Sequence, residues 1–144
     1  MTDRSRQGWP RKDESLIERI DDLLFAAPIA PVRRKNFFGT VAWFLESNDL
    51  IFAGAWGKGV IVRLGEERVL GLIESGDADP HDPTGHRPKR EYVFLDGTRI
   101  TDDDLLLDWF SEASEFVGVL PPIVKKPRPN TGRTTGAGQS TMRS

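Results

Sequence analysis

Residues 32–64 read "VRRKNFFGTVAWFLESNDLIFAGAWGKGVIVRL", and their reading decides the fold. Runs of β-branched and aromatic residues are broken at Gly39, at "SND" (47–49) and at "GKG" (57–59). These turn signals predict strands near 32–37, 40–46, 50–56 and 60–64. The separations are too short for parallel crossovers, so the strands pair as antiparallel hairpins. The glycines of "GAWGKG" (54–59) pose one question: do they close a hairpin or cradle a phosphate? A Walker-type loop needs a hydroxyl after its lysine and a helix behind it. Here Gly59 and the strand-like "VIVRL" follow Lys58. The stretch is therefore read as a hairpin turn, Gly57-Lys58-Gly59 supplying positive φ. Gly54, inside a strand, marks a bulge or a close backbone approach.

Helices flank the strands. Leu16, Ile17, Ile20, Leu23 and Leu24 form one apolar stripe, with Glu18, Arg19, Asp21 and Asp22 outside it. Pro28 and Pro31 end that helix. A short helix, "EERVLGLIES", follows Gly65 and buries Val69, Leu72 and Ile73. The polar segment "GDADPHDPTGHRPKR" is read as a long loop, and "YVFL" (92–95) as a fifth strand. The last helix opens at "TDDD", a capping box with Asp in place of Glu, and carries Leu105, Leu106, Trp109, Phe110, Ala113, Phe116, Val117 and Leu120. Pro121 and Pro122 stop it. The expected class is α+β: an N-terminal helix, four to five antiparallel strands, a short middle helix and a C-terminal helix. Residues 1–12 are expected to be a flexible N-terminus, 13–123 one domain, and 124–144 a disordered basic tail too poor in apolar residues to pack. Removing that tail is expected to leave the melting temperature nearly unchanged.

The net charge of −2 is unevenly spread: +3 over residues 1–12, −10 over 13–123 and +5 over 124–144. An acidic body repels nucleic acid, so direct nucleic-acid contact is expected only through the basic tail. The chain has no cysteine, which excludes disulfides, thiolate nucleophiles and thiolate metal sites. No apolar run approaches the length of a membrane span, and "MTDRSRQGWPRKDE" has no apolar signal core. The expected compartment is the cytoplasm.

Asp77, Asp79, His81, Asp82 and His86 gather in the 77–90 loop, but their spacing fits neither a calcium loop nor paired helical histidines. No metal site and no cofactor are expected. Arg63 shares a strand face with Ile61, so it reaches water, meets a carboxylate or contacts a ligand. No catalytic residues are assigned, since no serine–histidine–acid set and no paired carboxylates in an apolar frame are recognisable. Val41, Trp43 and Leu45 point one way along their strand, while Ala42 and Phe44 point the other. A sheet apolar on both faces either divides the helices between them or buries one face against a second subunit. A homodimer is the expectation.

The ordered set Arg34, the Phe38-Gly39 pair, Arg63 in "VIVRL", the "TGHRP" loop (Thr84, Gly85, Pro88), Trp109 and the closing Leu120-Pro121 resembles the N-terminal domain of the TfoX/Sxy family over residues 14–122. Lys89 stands where that family often has methionine, and His86 looks inserted. The resemblance implies a secretion-chaperone-like α/β fold whose members often dimerise, here without the family's C-terminal helical domain. It also implies a regulator of transcription or competence that acts with the transcription machinery; it brings no catalytic residues. The candidate contact residues for a ligand or partner are Arg34, Phe38, Gly39, Arg63, Thr84, Gly85 and Arg87. The expected function is a non-enzymatic protein-interaction module with an unidentified protein partner. The alternative is a small-molecule-binding protein or enzyme with a pocket around Arg63 and the 77–90 loop.

Overall fold

A computed structural model describes residues 11–27, 29–37 and 39–122. The expectations for the first ten residues, for Phe38 and for the basic tail lie outside the described residues.

The chain begins with helix α1 (Glu14–Ala26). Asp13 caps it, its carboxylate accepting the Leu16 N–H at 3.2 Å. Leu16, Ile17, Ile20 and Leu24 are its buried stripe. The helix stops at Ala26, and Ala27 is already extended (ψ 150°), as the residue before a proline prefers. A four-stranded meander follows: β1 (Val32–Phe37), β2 (Thr40–Leu45), β3 (Ile51–Trp56) and β4 (Gly59–Arg63). Helix α2 (Glu66–Ser75), strands β5 (Asp79–Pro80) and β6 (Tyr92–Leu95), and helix α3 (Asp103–Gly118) complete the order. The sheet runs β1-β2-β3-β4-β6-β5 with every neighbouring pair antiparallel. The mixed α+β architecture is thus as expected from sequence. The sixth strand, β5, is two residues long and lies in what was read as a structureless loop, where Asp79 and Pro80 pair with Phe94 and Val93.

Helix α3 starts one residue later than "TDDD" suggests. Asp102, not Thr101, is the N-cap, accepting from the Asp104 and Leu105 N–H groups. Asp carries this role as well as Thr does. Its buried stripe is Leu106, Phe110, Ala113 and Val117, while Leu105 points outward.

The glycines resolve cleanly. In the β3–β4 hairpin Trp56 pairs with Gly59, leaving Gly57 and Lys58 as the two-residue loop. Only Gly57 has positive φ, +60°, the first-position glycine of a type II′ turn. Gly59 is needed for a different reason: a Cβ there would lie 2.4 Å from the Leu95 carbonyl oxygen and 2.7 Å from the Phe94 ring. At Gly54 a Cβ would meet the Ile61 side chain at 3.2 Å, so of the two expectations it is the close approach that holds. The bulge sits two residues earlier, where Trp43 faces Ala53 but Phe44 faces Ile51. The extra residue, Phe52, turns into the core and meets Phe110 edge-on at 6.5 Å.

All three α-helices of the described residues cover one sheet face. The core strand residues Val41, Trp43, Leu45, Ala53, Ala55, Val60, Val62, Val93 and Leu95 share that face and pack with the stripes of α1, α2 and α3. Arg19 ties α1 to α3, donating to Asp103 (2.7 Å) and to the Ile100 carbonyl (2.5 Å). Asn48, in the β2–β3 turn, donates from Nδ2 to the Val117 and Leu120 carbonyls at 2.9 and 3.1 Å, and its Oδ1 accepts from Leu50 N–H. It closes the C-terminus of α3, whose carbonyls the helix itself leaves unsatisfied.

Candidate functional site

The opposite face carries Arg33, Lys35, Phe37, Thr40, Ala42, Phe44, Ile51, Gly54, Trp56, Ile61, Arg63, Tyr92 and Phe94, as the strand register requires, with the Lys35 ammonium 4.5 Å over the Phe44 ring. Ala42, Gly54, Ile61 and Phe94 align in one row across four strands. Ala42 and Ile61 are buried, whereas Phe37, Phe44, Ile51, Trp56, Tyr92 and Phe94 are half-buried. Of the two arrangements weighed from sequence, the division of helices between the faces is not the one adopted. What reaches this face is the segment between β5 and β6.

That segment is shaped by Asp82. Its Oδ1 accepts the N–H groups of Gly85 (2.9 Å) and Arg87 (3.2 Å), an acidic side chain organising the turn around it. Gly85 takes φ +78°, and Thr84 Oγ1 accepts the His86 N–H. The Lys89 N–H closes back on the His81 carbonyl at 2.8 Å. The segment is not merely a solvated loop: His81 is buried, as is Ala78 just before β5. The imidazole of His81 packs edge-on against Trp56 at 4.9 Å and lies 6.3 Å from Tyr92. Together Phe37, Trp56, Ile61, His81, Pro83, Thr84, Lys89 and Tyr92 line a pocket of about 330 Å³. Burial, reinforced by the positive charge of Lys89 and only partly opposed by Asp82, lowers the His81 pKa to about 4. Burial likewise raises Tyr92 to about 12. At neutral pH both rings are therefore uncharged.

Arg63 stands at the margin of this pocket, not in its lining. Its Nε donates to Glu91 Oε1 at 2.7 Å, and its guanidinium lies 6.0 Å from the Tyr92 ring centre. Of the three possibilities for this cation, the carboxylate partner is realised; of the pocket expected around Arg63 and the 77–90 loop, the loop supplies His81, Pro83, Thr84 and Lys89, and Arg63 is not in the lining. Thr84, Gly85 and Arg87 come together in the Asp82 turn, with Thr84 on the pocket wall. Arg34 is elsewhere. It pairs across β1–β2 with Trp43 on the helix side of the sheet and bonds to Asp21, which also accepts Trp43 Nε1–H at 2.9 Å. Gly39 supplies the β1–β2 turn with φ +82°, and Phe38 lies outside the described residues. Among the described residues no three histidine or acidic side chains converge to hold a metal ion.

The sequence does not single out Trp56, Ile61, His81, Lys89 and Tyr92 as one site. A signal existed for two of them, because a two-residue hairpin at Gly57-Lys58 places Trp56 and Ile61 on one face. Nothing in the local sequence says that His81 folds onto Trp56. No helix among the described residues is long and apolar enough to cross a membrane. Comparison with protein-family models, with curated proteins and with solved structures finds no match for this chain.

Proposed function

We propose that this chain is a non-enzymatic protein-interaction module of the kind its resemblance to the TfoX/Sxy N-terminal domain implies, dimeric through the sheet face opposite the helices, and a regulator that acts on the transcription machinery. One observation carries the reading. Phe37, Phe44, Ile51, Trp56, Tyr92 and Phe94 stand half-buried on a face over which no helix of the described residues lies. Clustered aromatic surface of this kind, here edged by Arg33, Lys35 and Arg63, marks an interaction site in soluble proteins.

Charge selects a second copy as the occupant. Helix α1 carries Glu14, Glu18, Asp21 and Asp22 against Arg19; α2 carries Glu66, Glu67 and Glu74 against Arg68; α3 carries five acids and no base. The whole acidic excess of residues 13–123 thus sits in the helical layer, and the sheet with its loops is neutral. Two copies meeting helix to helix would oppose like charges. Meeting sheet to sheet, they keep the acidic layers outermost, in an isologous pairing that buries the same aromatic patch on both sides.

Light scattering at micromolar concentration tests the dimer. The parent chain gives twice the monomer mass, and Phe44→Glu, which places a charge mid-face, gives a folded monomer. A parent that runs as a monomer ends the dimer reading. Affinity purification from the native cells at low and moderate salt tests the regulator reading. It requires a transcription factor or polymerase subunit at both salts; recovery of the chain alone counts against it.

A further inference from the structure

The pocket beneath the 81–91 segment holds more unspent polarity than a packing defect would. His81 is only 6% exposed, and neither of its ring nitrogens bonds to a protein group among the described residues. They are not sealed off, since the fully buried side-chain polar atom without a partner among the described residues is Arg99 Nε, so both stay open to an occupant of the cavity. The Tyr92 hydroxyl and the Lys89 ammonium likewise have no hydrogen-bond or ion-pair partner among the described residues. All three residues line the same cavity of about 330 Å³, whose remaining walls are Phe37, Trp56, Ile61, Pro83 and Thr84. That volume lies at the small end of the range of ligand pockets, and an apolar cleft with a few convergent polar groups is their usual composition.

The lining also states what would fit. Trp56 and His81 meet at 81° with 4.9 Å between centroids, and Tyr92 stands 6.3 Å from His81, so aromatic rings wall the cavity on several sides. Ile61, 2% exposed, forms its floor, occupying the space left by the missing side chain of Gly54. Such walls favour a flat ring over a branched aliphatic chain. The charge at the pocket is positive: Lys89 is on the wall, and Arg87 and Arg90 lie beside it in the chain. With His81 and Tyr92 neutral, Lys89 is the counter-charge, and the imidazole and phenol are left to donate hydrogen bonds to an acceptor.

We propose that this pocket binds a small aromatic carboxylate, its ring held between Trp56, His81 and Tyr92 and its carboxylate on Lys89. Every lining residue belongs to one chain, but Phe37, Trp56 and Tyr92 also stand on the face proposed above for dimerisation, so titrating the Phe44→Glu chain beside the parent separates binding from a change of oligomeric state. Isothermal titration of the full chain with 1-naphthoate and with the uncharged 1-naphthamide tests it. The acid binds about tenfold or more tightly than the amide, the value of one charge-assisted contact. Lys89→Gln removes that preference and leaves the affinity for the amide unchanged. Thr84→Trp, a substitution on an exposed loop that does not endanger folding, blocks both probes by filling the mouth. Titration by NMR shifts the Trp56 indole N–H and the Tyr92 ring signals. The proposal is overturned by the absence of heat from either probe at millimolar concentration, by binding that survives Thr84→Trp, or by a preference for the acid that survives Lys89→Gln.

Discussion

Asn48 offers a stringent test of how the two halves of the chain are joined. Its amide donates to the Val117 and Leu120 carbonyls and accepts from the Leu50 N–H, and the residue is buried. Val117 O keeps another partner, the Leu120 N–H, so truncation to alanine strands chiefly the Leu50 N–H and the half-buried Leu120 carbonyl. Each stranded group costs about 1–3 kcal/mol, less where water reaches it, and the vacated volume adds to this. Asn48→Ala should therefore destabilise by about 2–4 kcal/mol, a large part of a typical domain's total. Asn48→Asp separates polarity from shape. It keeps the acceptor for Leu50 but turns an anionic oxygen on two carbonyls, so at pH 7 it should cost more than alanine does. That carboxyl has a raised pKa in the folded state. Its folded form holds the proton more tightly than the unfolded one, so the deficit relative to Asn48→Ala shrinks as pH falls through the raised pKa toward 4. Urea unfolding followed by tryptophan fluorescence measures both variants, with the m-value checking that the transition stays two-state. An alanine variant within about 0.5 kcal/mol of the parent, the range of ordinary surface substitutions, or an aspartate variant as stable as the parent at pH 7, refutes the capping role.

Two further expectations come from the sheet. Gly59→Ala should cost about 1–3 kcal/mol, as overpacking does, because its Cβ would press on the Leu95 carbonyl and part β4 from β6. Gly57→Ala should cost only about 1–2 kcal/mol, through φ +60° alone; denaturation of the pair reads the difference, and a neutral Gly59→Ala would mean the strands are not in that register. His81 should make stability pH-dependent above the carboxylate range. Its folded pKa, about 4, lies below the ordinary 6.5, so the unfolded chain binds the extra proton and the stabilisation present above pH 6.5 is lost as pH falls to 4. The loss is at most about 3 kcal/mol at 1.36 kcal/mol per pH unit. Unfolding curves at pH 7 and 4.5 should differ less in His81→Gln than in the parent; equal differences would place His81 in water.

What the sequence determined by itself is the set of local elements. The stripe Leu16, Ile17, Ile20 and Leu24 marks α1 because the backbone has a period of 3.6, and the "VIVRL" alternation marks β4 because a strand has a period of 2. Gly57 as a hairpin residue is legible for the same reason: the strand partners it joins lie within three residues in the chain. Only the tertiary structure decided the rest. "SND" reads as a turn, yet Asn48 is there to close a helix 69 residues later. Gly59 reads as part of that turn, yet what excludes a side chain is β6, which joins the sheet beyond α2 and β5. Arg63 leaves its partner open until Glu91 arrives 28 residues on. His81 sits among acids and prolines that signal a solvated loop, and it is buried because that segment folds back over a face whose helices all went to the other side. Periodicity says which residues share a face. Which face the helices cover, and what settles on the other, is decided by burial and charge summed over the whole chain.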